Sequence, residues 1–140
     1  MKTLRRRSIQ KLPTERQSQI AIVQYLRIKH PDVLFWATPN GGSRNAIEAA
    51  NLKKEGVRAG VPDLFIARPV WKHELVELNG EREFLSLMVC AGLFIEMKSS
   101  KGICSNAQND IISKLRERGY RCEVCYSAYE AIKVIDEYLN

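Results

Sequence analysis

The segment Leu93-Phe94-Ile95-Glu96-Met97-Lys98 constrains the fold of this chain more than any other stretch. A strand has a side-chain period of two, so Phe94, Glu96 and Lys98 share one face and Leu93, Ile95 and Met97 share the other. The apolar face calls for a covering layer. The other face carries a carboxylate and an ammonium about 7 Å apart at the Cα level. Such charges at the end of an apolar strand are costly unless paired or coordinated. A cross-strand ion pair on an exposed sheet edge would account for them equally well.

A second carboxylate opens another strand. Asp63 follows Val61-Pro62 and precedes Leu64-Phe65-Ile66. Turn chemistry alone would explain an Asp at that place. If the two strands pair, however, Asp63 and Glu96 converge with Lys98 beside them. Two converging carboxylates with few His or Cys nearby form a hard-oxygen donor set suited to Mg²⁺ or Mn²⁺. Such an ion polarises a phosphoryl oxygen and lowers the pKa of a bound water, which an adjacent lysine can orient. These are the parts that phosphodiester hydrolysis requires.

The rest of the chain reads as one α/β domain. Residues 1–13 form a basic arm ending at Pro13, expected to be flexible. Thr14-Glu15-Arg16-Gln17 has the form of a capping box, and a helical pattern then runs to about Lys29 with Glu15, Ile22 and Leu26 on one face. A short strand at 33–37 and the glycine loop Thr38 to Gly42 lead to a helix from about Arg44 to Glu55. The Asp63–Ala67 strand follows a second loop. Residues 69–91, with Trp71, four glutamates and a break at Gly80, fit either a hairpin or a short helix plus strand. After the Gly92–Lys98 strand come a second capping box at Ser105 and Gln108, a helix to about Arg118, a strand at 120–126 and a last amphipathic helix. This order predicts a central mixed sheet flanked by helices, with no linker between two domains. The 140-residue length also suits one domain.

Charge narrows the partner. Residues 1–60 hold 12 Lys/Arg against 4 Asp/Glu, and residues 61–140 hold 10 against 12, so the +6 net charge belongs to the first part of the chain. A polyanion, nucleic acid first among them, is the expected partner, although a solvated basic surface has the same composition. The longest apolar run, Leu85 to Ile95, is interrupted by Ser86 and Gly92 and is too short for a membrane span. The basic N-terminus lacks the apolar stretch of a secretion signal. A soluble cytoplasmic protein is expected. Cys122-x-x-Cys125 has no second CxxC or paired His and falls on a strand, so buried thiols are favoured over zinc. His30 and His73 are expected at the surface.

Val61-Pro62-Asp63 with Glu96-Met97-Lys98 resembles the PD-(D/E)XK nuclease motif. More narrowly, the chain resembles the VRR-NUC (virus-type replication-repair nuclease) family across residues 14–138. The likeness includes Glu15, Pro39-Asn40-Gly41-Gly42 with Arg44, Leu52-Lys53-Lys54-Glu55-Gly56, Gly60-Val61-Pro62-Asp63-Leu64, the Gly92–Lys98 strand and Ser105-x-x-Gln108. The resemblance implies a restriction-endonuclease-like fold and Mg²⁺-dependent cleavage of DNA, with Mn²⁺ able to substitute. It implies metal binding by Asp63, Glu96 and the Met97 carbonyl, and a Lys98 that positions the attacking water or steadies transition-state charge. Glu15 would add a carboxylate to the inner or outer shell of the metal, and Gln108 would support the site from the next helix. Glu15 as a helix-start residue and Gln108 as a capping-box residue are the plainer alternatives.

Stand-alone members resembling this chain are associated with phages and bacteria, and some act on branched DNA as homodimers, so the resemblance implies a bacterial cell or a phage-infected host, branched DNA such as four-way junctions, and a homodimer. DNA contacts are expected from Arg5, Arg6, Arg7, Lys11, Arg16, Arg44, Lys53, Lys54 and Arg58, with backbone amides of Asn40, Gly41 and Gly42 meeting a phosphate. The 33 positions from Asp63 to Glu96 exceed the family's usual connection, so residues 69–91 read as an insertion. A catalytically inactive DNA-binding module of the same fold is the alternative function. The complete Asp63/Glu96/Lys98 set argues against it, because a binder gains little from carboxylates aimed at phosphate.

Overall fold

Every helix begins where the sequence supplies a side-chain acceptor for the free N–H groups of a first turn. The computed structural model describes residues 12–39 and 45–140. In chain order the elements are α1 (Glu15–Lys29), β1 (Phe35–Ala37), α2 (Ala46–Lys54), β2 (Leu64–Ile66), β3 (Val70–Leu78), β4 (Glu81–Cys90), β5 (Leu93–Met97), α3 (Asn106–Glu117), β6 (Arg121–Cys125) and α4 (Ala128–Leu139). Thr14 with Gln17, and Ser105 with Gln108, close both capping boxes. Asn45 caps α2 and Ser127 caps α4.

The main sheet has the order β1-β2-β5-β6. The first two pairings are antiparallel, and β5 with β6 is parallel, joined by the α3 crossover that a parallel pair requires. Alternation along β2 and β5 sends Leu64, Ile66, Leu93, Ile95 and Met97 to one face. There they pack with Ile22 and Leu26 of α1 and Ala131, Ile135 and Tyr138 of α4. Each buried leucine, isoleucine or methionine contributes about 1.5–3 kcal/mol. The opposite face carries Phe65 and Phe94, which stack with each other and meet Trp36 and Tyr120 edge-on. α3 contributes the buried Ile111 and Ile112. The expected single domain with a mixed sheet between helices is what the chain forms.

Residues 69–91 resolve to the hairpin of the two expected forms. β3 and β4 make a separate two-stranded sheet. Their turn is Asn79-Gly80, with φ of 53° and 83°. Two successive positive φ values belong to the hairpin turn whose twist matches its strands, and Asn-Gly is its preferred pair.

Cys122 and Cys125 are both buried on β6, as expected of structural thiols. Burial pushes their pKa values up, to about 11 and about 12. One histidine corrects the surface expectation. His30 is half-buried because the C-terminal end of α1 packs on α4, and its Nε2 lies 3.2 Å from Asp136 Oδ1. Tyr25 Oη donates to the same carboxylate at 2.6 and 2.8 Å. His73 is exposed. No helix among the described residues is long and apolar enough to cross a membrane.

Candidate active site

The register Leu64↔Ile95 sets Asp63, one residue before β2, beside Glu96. Both project on the face of Phe65 and Phe94. Asp63 Oδ2 accepts the Met97 N–H at 2.8 Å, which locks its carboxylate against β5. Glu96 is 1% exposed. Its Oε1 lies 2.7 Å from Lys98 Nζ and also accepts the Gln108 side-chain N–H. Glu96 Oε2 is buried with no hydrogen-bond partner among the described residues. Lys98 is largely buried too. Glu15, the first residue of α1, is exposed, and its Oε1 accepts the Ser99 N–H at 2.7 Å. The pairing of two strands and the start of two helices thus bring Asp63, Glu96, Lys98, Gln108 and Glu15 together.

Gln108 makes a cap contact and a contact to Glu96 at once. As the third residue of α3, its Oε1 accepts the Ser105 N–H at 2.9 Å. The amide oxygen being so engaged, the NH₂ turns to Glu96. Cap and site contact are two ends of one side chain. Gly60 supplies the closeness this needs. It has φ of +88°, and a Cβ there would meet the Ala107 carbonyl oxygen at 2.4 Å. Only glycine combines that backbone conformation with that approach, so the loop entering Asp63 lies directly on the first turn of α3.

The electrostatics of the cluster follow from its burial. Burial raises the Asp63 pKa, the Met97 N–H and Lys98 oppose that rise, and Glu15 adds to it. Burial likewise raises Glu96, opposed by the Lys98 hydrogen bond and reinforced by the charge of Asp63. At Lys98 burial works against the ammonium, but Glu96 and Glu15 outweigh it and its pKa is raised. Three carboxylates thus surround one ammonium, in excess of its charge. A hard cation is the species that would relieve this excess, and Glu96 Oε2 and the Asp63 carboxylate are the oxygens available to it. Among the described residues no group of three or more His, Cys, Asp or Glu side chains is drawn close enough to cage a metal alone. Mg²⁺ suits such a sparse set, since it commonly takes one or two carboxylates and completes its shell with water and substrate oxygens.

Of the expected DNA-contacting residues, the described ones do not join this cluster. Lys53 and Arg58 line a shallow groove of about 440 Å³ between the end of α2 and the following loop. Arg16 lies with Arg27 along another face of α1. Lys54 is exposed. Arg5, Arg6, Arg7, Lys11, Asn40, Gly41, Gly42 and Arg44 lie outside the described residues. Four neighbours were not expected. Ser99 anchors Glu15 through its backbone, which no residue-type signal reveals. Cys104 is a half-buried thiol whose pKa is raised by burial and by Glu96. Tyr126 and Tyr129 border a groove of about 1080 Å³ that also includes Ser99, Ser100 and the start of α1.

A mixed sheet flanked by helices, with two carboxylates and a lysine converging at one sheet end, defines the nuclease class to which the sequence motif pointed. The VRR-NUC domain model matches residues 13–129, and the chain belongs to that family. The family is one of nucleases of DNA replication and repair. A solved structure described as a VRR_NUC domain protein is similar at 25% sequence identity and a TM-score of 0.64, over 92% of this chain and 90% of that one. Among curated proteins no relative matches.

Proposed function

We propose that this chain is a Mg²⁺-dependent DNA endonuclease that hydrolyses phosphodiester bonds in branched DNA such as four-way junctions, with Mn²⁺ able to replace Mg²⁺. The observation that carries the reading is Glu96 Oε2, a buried carboxylate oxygen beside Asp63 with no hydrogen-bond partner among the described residues. Native structures rarely strand such an atom unless a ligand completes it. Held by Asp63, Glu96 and the Met97 carbonyl, with Glu15 in its outer shell, the cation would supply Lewis-acid polarisation of a phosphoryl oxygen and a water of lowered pKa.

The remaining work falls to the chain's own residues. Lys98, 2.7 Å from Glu96 Oε1, orients the attacking water and places positive charge where the transition state becomes more negative. Gln108 holds Glu96 in one orientation by donating to Oε1, which leaves Oε2 facing outward from that contact. Asp63 is fixed by the Met97 N–H, so neither carboxylate must reorganise as substrate arrives. Lys53, Lys54, Arg58 and Arg16, with Asn40, Gly41 and Arg44, would meet backbone phosphates, which position a duplex without reading its sequence. Two copies related by a two-fold axis would present two sites to the two strands of a junction, which favours a homodimer. A cytoplasmic location follows from a DNA substrate in a bacterial cell or a phage-infected host.

Cleavage of duplex, flap and four-way-junction DNA with Mg²⁺, Mn²⁺ or EDTA tests the proposal. Asp63→Ala and Lys98→Ala are expected to lower cleavage by on the order of 10³-fold while DNA binding persists. Cutting that survives EDTA, or survives both substitutions, would sink the mechanism. Binding without cutting in the unaltered chain would favour the DNA-binding module instead.

A further inference from the structure

The groove beside the catalytic cluster has a chemistry of its own. Its volume is about 1080 Å³, and its lining includes Thr14 and Gln17 at the start of α1, Ser99 and Ser100 after β5, and Tyr126 and Tyr129 where β6 turns into α4. Backbone hydrogen bonds join these segments to the candidate site. The Lys98 N–H donates to the Cys125 carbonyl at 2.9 Å, which sets the segment that begins with Tyr126 beside the end of β5. The Ser99 N–H holds Glu15. Pockets for a single small ligand measure about 300–1,000 Å³, so the groove has room for more than one nucleotide.

Trp36, Phe65, Phe94 and Tyr120 are engaged with one another. Tyr126 and Tyr129, by contrast, meet no other ring among the described residues and are 45% and 80% exposed. The backbone that carries them is nevertheless fixed. Ser127 Oγ accepts the Glu130 N–H at 3.1 Å, and Glu130 Oε2 accepts the Tyr126 N–H at 2.8 Å. Rings on such a frame lose little freedom when a ligand arrives. We infer that this groove binds an unpaired stretch of single-stranded DNA leading to the catalytic cluster, with bases stacked on Tyr126 and Tyr129. Charge and polarity select this occupant. None of the groove's described lining residues is charged. The carboxylates that flank it in sequence, Glu15 and Glu130, are turned to the N–H groups of Ser99 and Tyr126. Lys101 is exposed in the tight turn that the Gly102 N–H closes onto the Ser99 carbonyl at 2.8 Å. In sequence, Arg5, Arg6, Arg7 and Lys11 lead into Leu12 at the groove's other end. Aromatic faces for bases beside cations for phosphates are the parts of a single-strand platform. A paired duplex must unstack a base before it can offer one, so the groove favours the unpaired strand at a branch.

The inference rests on the nuclease reading above, but its test needs no cleavage. Fluorescence anisotropy of the full chain in EDTA is expected to show saturable binding of an oligothymidylate of about 12 nucleotides. An abasic oligomer of the same length and charge is expected to bind about 10-fold more weakly or worse, because it has no bases to stack. Tyr129→Ala is expected to weaken oligothymidylate binding by about 5- to 100-fold, toward the abasic value, and to leave blunt-duplex binding unchanged. Tyr126→Ala should act in the same direction, and Tyr129→Phe should retain the affinity. Oligothymidylate binding no tighter than that of the abasic oligomer would overturn the inference. So would full affinity in both alanine variants, or a loss in Tyr129→Phe as large as in Tyr129→Ala. Absence of saturable binding would overturn it too, and would mean that another occupant covers the groove. Tyrosine-dependent binding by a chain that cuts no DNA in Mg²⁺ would refute the nuclease reading and leave the groove standing. Cutting by a chain whose alanine variants bind as it does would do the reverse.

Discussion

The end of the main sheet and the β3–β4 hairpin break the usual burial rule in opposite directions. At the sheet end, Glu96 and Lys98 are charged side chains held out of water. On the hairpin, Trp71, Leu75, Phe84 and Met88 are apolar side chains held in it. Both arrangements oppose stability, since buried charge loses hydration and exposed apolar surface forgoes the hydrophobic gain. The difference lies in what surrounds them. The charged cluster is fixed by bonds among α1, the residue before β2, β5 and α3, whereas among the described residues the hairpin face is fixed by cross-strand pairing. The first fits the small hard cation proposed for it, and the second is a broad apolar surface.

The contrast breaks most severely at Gly60. Gly60→Ala would force a Cβ into the Ala107 carbonyl and strain a left-handed backbone, separating the Asp63 loop from α3. A loss of about 2–4 kcal/mol of stability is expected, read by urea unfolding, together with loss of cleavage. If Gly60→Ala retained both, the close approach would not be what assembles the site. Gln108→Ala is the next test. It frees Glu96 and removes half of a capping box, and cleavage should fall roughly 10- to 100-fold, as for other groups that orient metal ligands. Serine at position 105 retains the backbone part of the cap, so the fold should survive, as circular dichroism would verify.

The charged cluster also predicts an unusual pH response. Asp63 and Glu96 have folded pKa values above their ordinary ones. Their contribution to stability is therefore greatest below the unfolded carboxylate range, near pH 4, and is lost as pH rises through the folded values. In EDTA the melting temperature should fall as pH climbs through that window, and Asp63→Asn should flatten the fall and melt higher than the unaltered chain at pH 7. Mg²⁺ should restore stability to the unaltered chain but less to Asp63→Asn. Equal melting of the two in EDTA would remove the electrostatic part of the argument.

The smallest effect is expected away from both regions. The Asp136 carboxylate, hydrogen-bonded by Tyr25 and His30, has a lowered pKa. Its stabilisation is present above the unfolded value and lost as pH falls through the folded one, opposite in sign to Asp63. Asp136→Asn should lower the melting temperature by a few degrees at neutral pH and by less in acid, and should leave cleavage unchanged.

Much of the site was legible because each part depended on local pattern. Period two placed Glu96 and Lys98 on one face, proline and a following apolar run marked Asp63, and capping boxes located Gln108 and the start of α1 beside Glu15. Ser99 was illegible because it acts through its backbone N–H, which every residue but proline possesses. His30 was misjudged because its burial depends on where α4 packs, 106 positions away in the chain. The hairpin was left open between two forms, although Asn79-Gly80 between apolar strands was the signal that resolves it.

The run from Leu85 to Ile95 shows where sequence stops. Apart from Ser86 and Gly92 it is apolar, yet Leu85, Leu87, Met88 and Val89 are exposed on β4 while Leu93 and Ile95 are sealed in β5. Local chemistry determined the elements, their caps and the pairing of charge with apolar residues, because these depend on neighbours a few positions apart. Only the tertiary structure decided which apolar face found a covering helix and which carboxylate oxygen has no partner among the described residues. Those outcomes depend on what distant segments bring to the same place.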